Sequence, residues 1–308
     1  MPKIRLHYSV HTLNNQQLLP AGIQLSPKTS SKLIYRPKRP LGKSILLMRY
    51  GTIRQDLIQF MGQDPYSRIF APEHGATRGW GLMKKVSLPQ EVMEILDYFK
   101  AHDYYTYRHF LVVYVLSLFL ARHLLTDADD LISEANAGPT HDIGKICVPL
   151  RILKKRKPLT LSERMMLDHH AAAGYVLICY YLQDTTNFAA IIARDHHERR
   201  DGSGYPSGKK LKNRMLEIVA VSDIYDALIS SRPYRSKPYD NRSALEEITA
   251  MAQIGKLSWD VVKVLVNHNR KNRSHSNECV VSLDKRGRAP AGNVYGIIIS
   301  ENSGKIRQ

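Results

Sequence analysis

The run Phe110–Ala121, inside YTYRHFLVVYVLSLFLARHLL, is the most apolar in the chain and constrains its fold most. A bilayer span takes roughly 20 apolar residues, more than this run supplies. It therefore reads as a deeply buried helix, with no transmembrane segment elsewhere. Its neighbours carry helical periodicity too. EVMEILDYFKAHD follows Pro89, a residue suited to a first helical position. LTLSERMMLDHHAAAGYVLICYYL opens on Thr160 with Glu163 three residues later, the pattern of a capping box. Asn187–His197, Glu217–Ser231, Ser243–Met251 and Trp259–Asn267 read as further helices, so residues 88 to 268 form an all-helical domain.

The first 85 residues have a different character. IRLHYSV and QLLPAGIQLS suit short strands around a turn, RPKRPLGKS a linker or exposed loop, and Asp64–Lys85 a loop. We place the boundary near Val86: residues 1–85 as a smaller N-terminal domain, with a regulatory role and an α+β fold left open, and 86–308 as the helical domain with a polar, basic tail. ECVVSL and VYGIIIS in that tail could be strands.

A chain of 308 residues has room for two domains. Its formal charge of +17 implies anionic partners without choosing among nucleotide, nucleic acid, lipid surface or acidic protein. Cys147, Cys179 and Cys279 are scattered and odd in number, which favours a reducing, cytoplasmic setting. MPKIRLHYSV has no apolar run of signal-peptide length.

The candidate chemistry is a dispersed set of imidazoles and carboxylates: His109, His141, Asp142, His169, His170, His196, His197 and Asp223. Each alone has a bland reading. A lone HD dipeptide is near noise, and surface histidine pairs are common. Asp223 is harder to dismiss, because an aspartate in an apolar helix costs several kcal/mol unless partnered. Its neighbour Asp226 could hold a histidine from behind. If His141 and Asp142 lie on a helix, they point about a hundred degrees apart and can straddle a metal site. Lys145 then shares a face with Asp142. Together the set suits two borderline transition ions such as Fe or Mn, and metal pairs catalyse phosphate-ester hydrolysis.

Four blocks, HDIGKICVP, LTLSERMMLDHHAAAG, HHERRDGSGYPSGKKL and IVAVSDIYDALISSRPYR, carry a resemblance to the HD-GYP family. That family is a bacterial branch of the HD metal-dependent phosphohydrolases. The likeness runs from about Tyr104 to Val266. It implies an HD-type helical bundle, hence a mainly α fold, and hydrolysis of cyclic di-GMP to pGpG and on to GMP by a metal-activated water. It implies that His109, His141, Asp142 and Asp223 hold one ion, and that Asp142 bridges to a second held by His170, His196 and His197. His170 is preferred over His169 because Gly174 follows it at the family's spacing. Lys145 would meet the scissile phosphate or leaving oxygen, and Tyr205, Arg232 and Arg235 the substrate's phosphates or bases. Some members hold a third metal through a glutamate where this chain has Tyr105, so two ions are expected. Gly138 and Pro139 should break the helix that normally leads into the HD pair.

A cyclic dinucleotide phosphodiesterase is thus the leading expectation, with iron favoured over manganese and a protein partner such as a GGDEF-type domain left open. The alternative is a catalytically weak or inactive cyclic-nucleotide sensor or scaffold. Nucleic-acid binding is disfavoured: RPKRP, LKKRKP, RKNRSH and DKRGR are spread out, and no helix-turn-helix, zinc-finger or OB signature accompanies them.

Overall fold

The structure is a computed structural model that describes residues 4–34, 43–70, 81–126, 131, 137–233, 235, 237–270, 279–293 and 297–300. Short antiparallel strand pairs open the chain: β1 (Ile4–Arg5) with β4 (Gln24–Leu25), and β2 (Val10–His11) with β3 (Gln17–Leu19). Helix α1 (Pro27–Ile34) follows. Strand β5 (Ser44–Leu46) pairs with β6 (Ser87–Pro89), joining the two sides of the expected boundary at Val86. Between them lie α2 (Ile53–Met61), in a stretch that the sequence left without an element, and α3 (Tyr66–Ile69), inside the Asp64–Lys85 stretch expected as loop; residues 71–80 of that stretch lie outside the described residues.

The helical part contains α4 (Gln90–His102), α5 (Tyr104–Leu124), α6 (Leu150–Leu153), α7 (Leu161–Asp168), α8 (His170–Leu182), α9 (Phe188–Asp195), α10 (Arg214–Ile229), α11 (Asn241–Gln253) and α12 (Trp259–His268). Every residue of α5 from His109 to Ala121 is buried, as an apolar helix at a bundle centre must be. It packs on α4 and α10, while α8 packs on α9. Asp103 caps α5 by accepting from Thr106. The capping box at Thr160 and Glu163 forms with both of its bonds. Strand β7 (Leu159–Thr160) runs parallel to β8 (Ile298–Ile299), the one part of the tail's two candidate strands that is a strand among the described residues.

One apolar cluster runs from Ile4 through the helices to Val266, with Leu6, Leu33, Leu57 and Phe60 contributing from the N-terminal side. No helix among the described residues is long and apolar enough to cross a membrane. Cys147, Cys179 and Cys279 are free thiols.

One expectation is corrected. His141 and Asp142 do not lie on an α-helix. They sit in a turn that leads into the 3-10 helix Ile143–Cys147. Gly138 adopts φ +61° just upstream, so the chain reaches His141 through a bend that Gly138 and Pro139 impose.

Candidate metal centre

Five structural units deliver the candidate ligands. Helix α5 brings His109 to the centre, and the turn before Ile143 brings His141 and Asp142. The first residue of α8 is His170, and the end of α9 presents His196 and His197. Helix α10 supplies Asp223. All but His197 are buried below a tenth of their surface.

Asp142 lies in the middle. Its Oδ1 is 3.1 Å from His170 Nε2 and 3.6 Å from His196 Nε2; its Oδ2 is 3.4 Å from His109 Nε2 and 3.3 Å from His141 Nε2. Asp223 Oδ1 lies 3.0 Å from His109 Nε2, and its Oδ2 3.8 Å from His197 Nδ1. Two donor groups emerge, Asp142 with His170, His196 and His197, and Asp142 with His109 and His141, and in each the ligand atoms lie within 4.8 Å of one another.

The hydrogen bonds behind the rings set their tautomers. His170 Nδ1 is 2.6 Å from the Leu167 carbonyl, and His196 Nδ1 is 3.1 Å from the carbonyls of Ile192 and Ala193. A carbonyl only accepts, so each Nδ1 carries the proton and each Nε2 presents a bare lone pair. The lone pairs of His170 and His196 face each other, their Nε2 atoms 3.5 Å apart, and His197 Nε2 lies 3.1 Å from His170 Nε2. Neither His141 Nε2 nor Asp142 Oδ1 makes a hydrogen bond. Facing acceptors with no proton between them are costly when buried. A divalent cation resolves the arrangement, and the mixed nitrogen and oxygen donors suit a transition ion.

Electrostatics point the same way. Burial pushes the Asp142 carboxyl up, yet Lys145 and His141 hold it well below the usual carboxylate range. Burial likewise raises Asp223, and His109 and His197 outweigh it. Burial lowers the His141 imidazole to about 4, which keeps it neutral. His109 differs: burial opposes its charge, but Asp142, Asp223 and Asp226 raise it to about 9. A metal must displace that proton, so loading should release one. Asp226 holds His109 from behind at 2.6 Å from Nδ1, the supporting position that the sequence suggested for it.

The remaining predicted residues surround a cavity of about 280 Å³ that opens onto His170, His197 and Asp223. Lys145 is on its wall and hydrogen-bonds Asp142. The Tyr205 ring stacks on His197, centroids 4.5 Å apart and 22° from parallel. Gly204 permits this, since a Cβ there would fall 2.3 Å from the His197 carbonyl oxygen. Arg232 lies 4.7 Å over the Tyr105 ring, which itself stacks on His109. Arg235 lines the cavity but is 2% exposed, and its Nη2 donates to the carbonyls of Ala227, Leu228 and Ser230. His169 turns away from the cluster, edge-on to Tyr8.

Several contributors escaped sequence reasoning. Tyr66 and Arg108 both donate to Asp226 Oδ1, and Arg108 also packs over the Phe60 and Tyr66 rings. Glu198 accepts from Ser207 N at 2.8 Å and clamps the loop that carries Tyr205. The adjacency of Glu198 to His197 was the only hint. Ile297 and Ile298 line the cavity from the far end of the chain.

Fold and site together define a helical domain whose buried histidines and aspartates could hold divalent metal. Residues 112–257 match the family model described as "HD domain", and the HHE and GSGYP motifs lie within that stretch. It is 38% identical over 57% of its length to a "Cyclic di-GMP phosphodiesterase" of Thermotoga maritima. It is 33% identical over 43% of its length to "3'3'-cGAMP-specific phosphodiesterase 2" of Vibrio cholerae. The matches span 48% and 26% of those proteins, so the chain spans half or less of each. A solved structure, "Bd1817, a HDG"Y"P protein from Bdellovibrio bacteriovorus", aligns over 86% of this chain and 94% of that one with TM-score 0.42 and 14% identity, too loose a likeness to bear on the argument.

Proposed function

We propose that this chain is a metal-dependent phosphodiesterase that hydrolyses cyclic di-GMP to pGpG and on to GMP at a site for two divalent ions, iron foremost and manganese as the alternative. The observation that carries this reading is the ring of bare Nε2 atoms around Asp142, opening directly onto a cavity with cationic walls. Bound there, the ions would supply Lewis acidity toward water and the phosphate oxygens.

The chain's own residues do the rest. His109, His141, Asp142 and Asp223 would hold one ion, and Asp142 with His170, His196 and His197 the other. Lys145 fixes Asp142 and offers its ammonium to the scissile phosphate. Tyr205 and Arg232, both on the cavity wall, contact the substrate, and Arg235 shapes the wall beside Arg232 through their paired backbones. The net charge of +17 steers an anionic substrate inward. The similarity to a protein named for 3'3'-cGAMP makes that dinucleotide the second substrate to test.

The reading extends to a cytoplasmic setting and to residues 1–85 as a regulatory part, with a GGDEF-type domain as one partner. Tyr66 gives that part a direct contact to Asp226 behind His109. The test is turnover of both dinucleotides by protein loaded without oxygen, beside Asp142→Ala. Hydrolysis should depend on added metal and vanish in the variant at unchanged helical content. Full hydrolysis by the variant defeats the assignment, and tight binding without product makes the chain a sensor.

A further inference from the structure

The cavity has both charged and apolar lining. Besides Lys145, His170, His197 and Asp223 it is lined by the apolar side chains of Leu153, Leu159, Met251, Ile297 and Ile298. Two of those five belong to the tail, well beyond the matched residues 112–257.

The tail is attached at three separate places. The backbone N–H groups of Arg286 and Gly287 both donate to one carboxylate oxygen of Glu246, at 2.8 and 2.6 Å. Lys285 Nζ is 2.7 Å from Glu247, which itself lines the cavity. Finally Ile298 pairs with Leu159 and Ile299 with Thr160 in the parallel ladder β7–β8. A two-residue ladder is marginal alone, so the other anchors keep it in place. Ile297 and Ile298 remain 50% and 51% exposed beside the cavity, with apolar area still open to a ligand.

We propose that this tail is part of the substrate site: Ile297 and Ile298 cover the purine base farther from the cleaved phosphate, and Lys285 cancels the Glu247 charge that an anionic ligand would otherwise meet. The inference rests on the dinucleotide reading above. A flat heteroaromatic ring needs apolar surface to lie against, and these side chains supply it. Removing negative charge beside the path of a phosphate favours the anion. Ile297 and Ile298 are therefore specificity-determining residues: they act on a substrate that carries a base and not on a small diester that lacks one.

The experiment compares the unaltered chain with a chain ending at Asn293 and with full-length Ile297→Asp. For each, kcat/KM is measured for cyclic di-GMP and for bis(p-nitrophenyl) phosphate, with equilibrium binding of a fluorescent guanine nucleotide and metal content alongside. Losing the burial of one isoleucine corresponds to about tenfold in affinity. The ratio of the two kcat/KM values should fall about tenfold in Ile297→Asp and further in the shortened chain, which loses both isoleucines, through KM for the dinucleotide. Guanine-nucleotide binding should weaken by the same factor at equal metal content. A ratio and a binding constant within twofold of the unaltered chain overturn the proposal. Ile297→Asp keeps the chain length, so a folding defect of the shortened chain does not decide the outcome. Absence of dinucleotide turnover by the unaltered chain overturns the phosphodiesterase reading itself, and this proposal with it.

Discussion

Gly144→Ala tests how the metal cage is assembled. Gly144 lies between Asp142 and Lys145 on the short 3-10 helix, pressed against the start of α8. A Cβ at this position would fall 1.9 Å from the His170 carbonyl oxygen and 2.4 Å from Gly174 N. Both are backbone atoms, so no side chain can swing aside. Restoring ordinary contact of 3.4 Å requires the turn and α8 to separate by about 1.5 Å. The same gap is spanned by Asp142 Oδ1 and His170 Nε2, now 3.1 Å apart. Metal–ligand distances tolerate roughly 0.2 Å, so the shift exceeds the tolerance several-fold. Disturbing only the groups behind a ligand already costs about 10- to 100-fold in affinity, and moving the ligand itself should cost at least about 100-fold. Overpacking should also remove about 1–3 kcal/mol of stability. Manganese titration by calorimetry, with circular dichroism at each point, reads both effects. Gly81→Ala is the control, because a Cβ there meets nothing within 4 Å. If Gly144→Ala binds metal within threefold of the unaltered chain, the contact between turn and α8 does not set the cage, and the reasoning fails.

Asp226→Asn keeps the shape but removes the charge that faces His109 at 2.6 Å and Arg108 at 2.9 Å, and metal affinity should drop about 10- to 100-fold in a chelator competition. Gly204→Ala should push the loop off the His197 backbone, unstack Tyr205 and lower kcat/KM for the dinucleotide at least about tenfold, read by steady-state kinetics. The Asp56 carboxyl is raised by burial, but hydrogen bonds from Lys100, Tyr107 and Thr52 outweigh this and hold it below its ordinary value. A depressed carboxyl contributes stability above the unfolded value of about 3.9 and loses it as pH falls through the folded one. The stability difference between the unaltered chain and Asp56→Asn in urea should therefore be constant above about pH 5 and shrink in more acidic solution. A difference that stays constant into acid would contradict the assignment of the shift to Asp56.

What the sequence disclosed was local, or carried by motif. The apolar helix around Phe110 and the cap at Thr160 and Glu163 depend on neighbours within a turn or two, and both formed where expected. Gly174 was already a marker for His170, through the family's spacing: a Cβ on it would press to 3.1 Å on the Ala193 Cβ, where α8 packs on α9. The turn under His141 and Asp142 was half legible. The Gly138 and Pro139 break was visible, but not that the pair would reach the cage without a helix beneath it. Contacts between distant segments left no local trace. Tyr66 and Asp226 are 160 residues apart, and nothing near Tyr66 announces a buried hydrogen bond. The pairing of Ile298 with Leu159 is equally remote, so VYGIIIS suggested a strand but neither its partner nor the cavity it borders.

The account stands or falls on whether Asp142 joins two groups of histidines around cations. The most direct measurement is the number of ions per chain after anaerobic loading with ferrous iron or manganese and removal of the excess, for the unaltered chain and for Asp142→Ala. Two ions per chain, both lost in the variant, is the predicted result. A chain that stays empty at saturating metal, or a variant that keeps both ions, would contradict it.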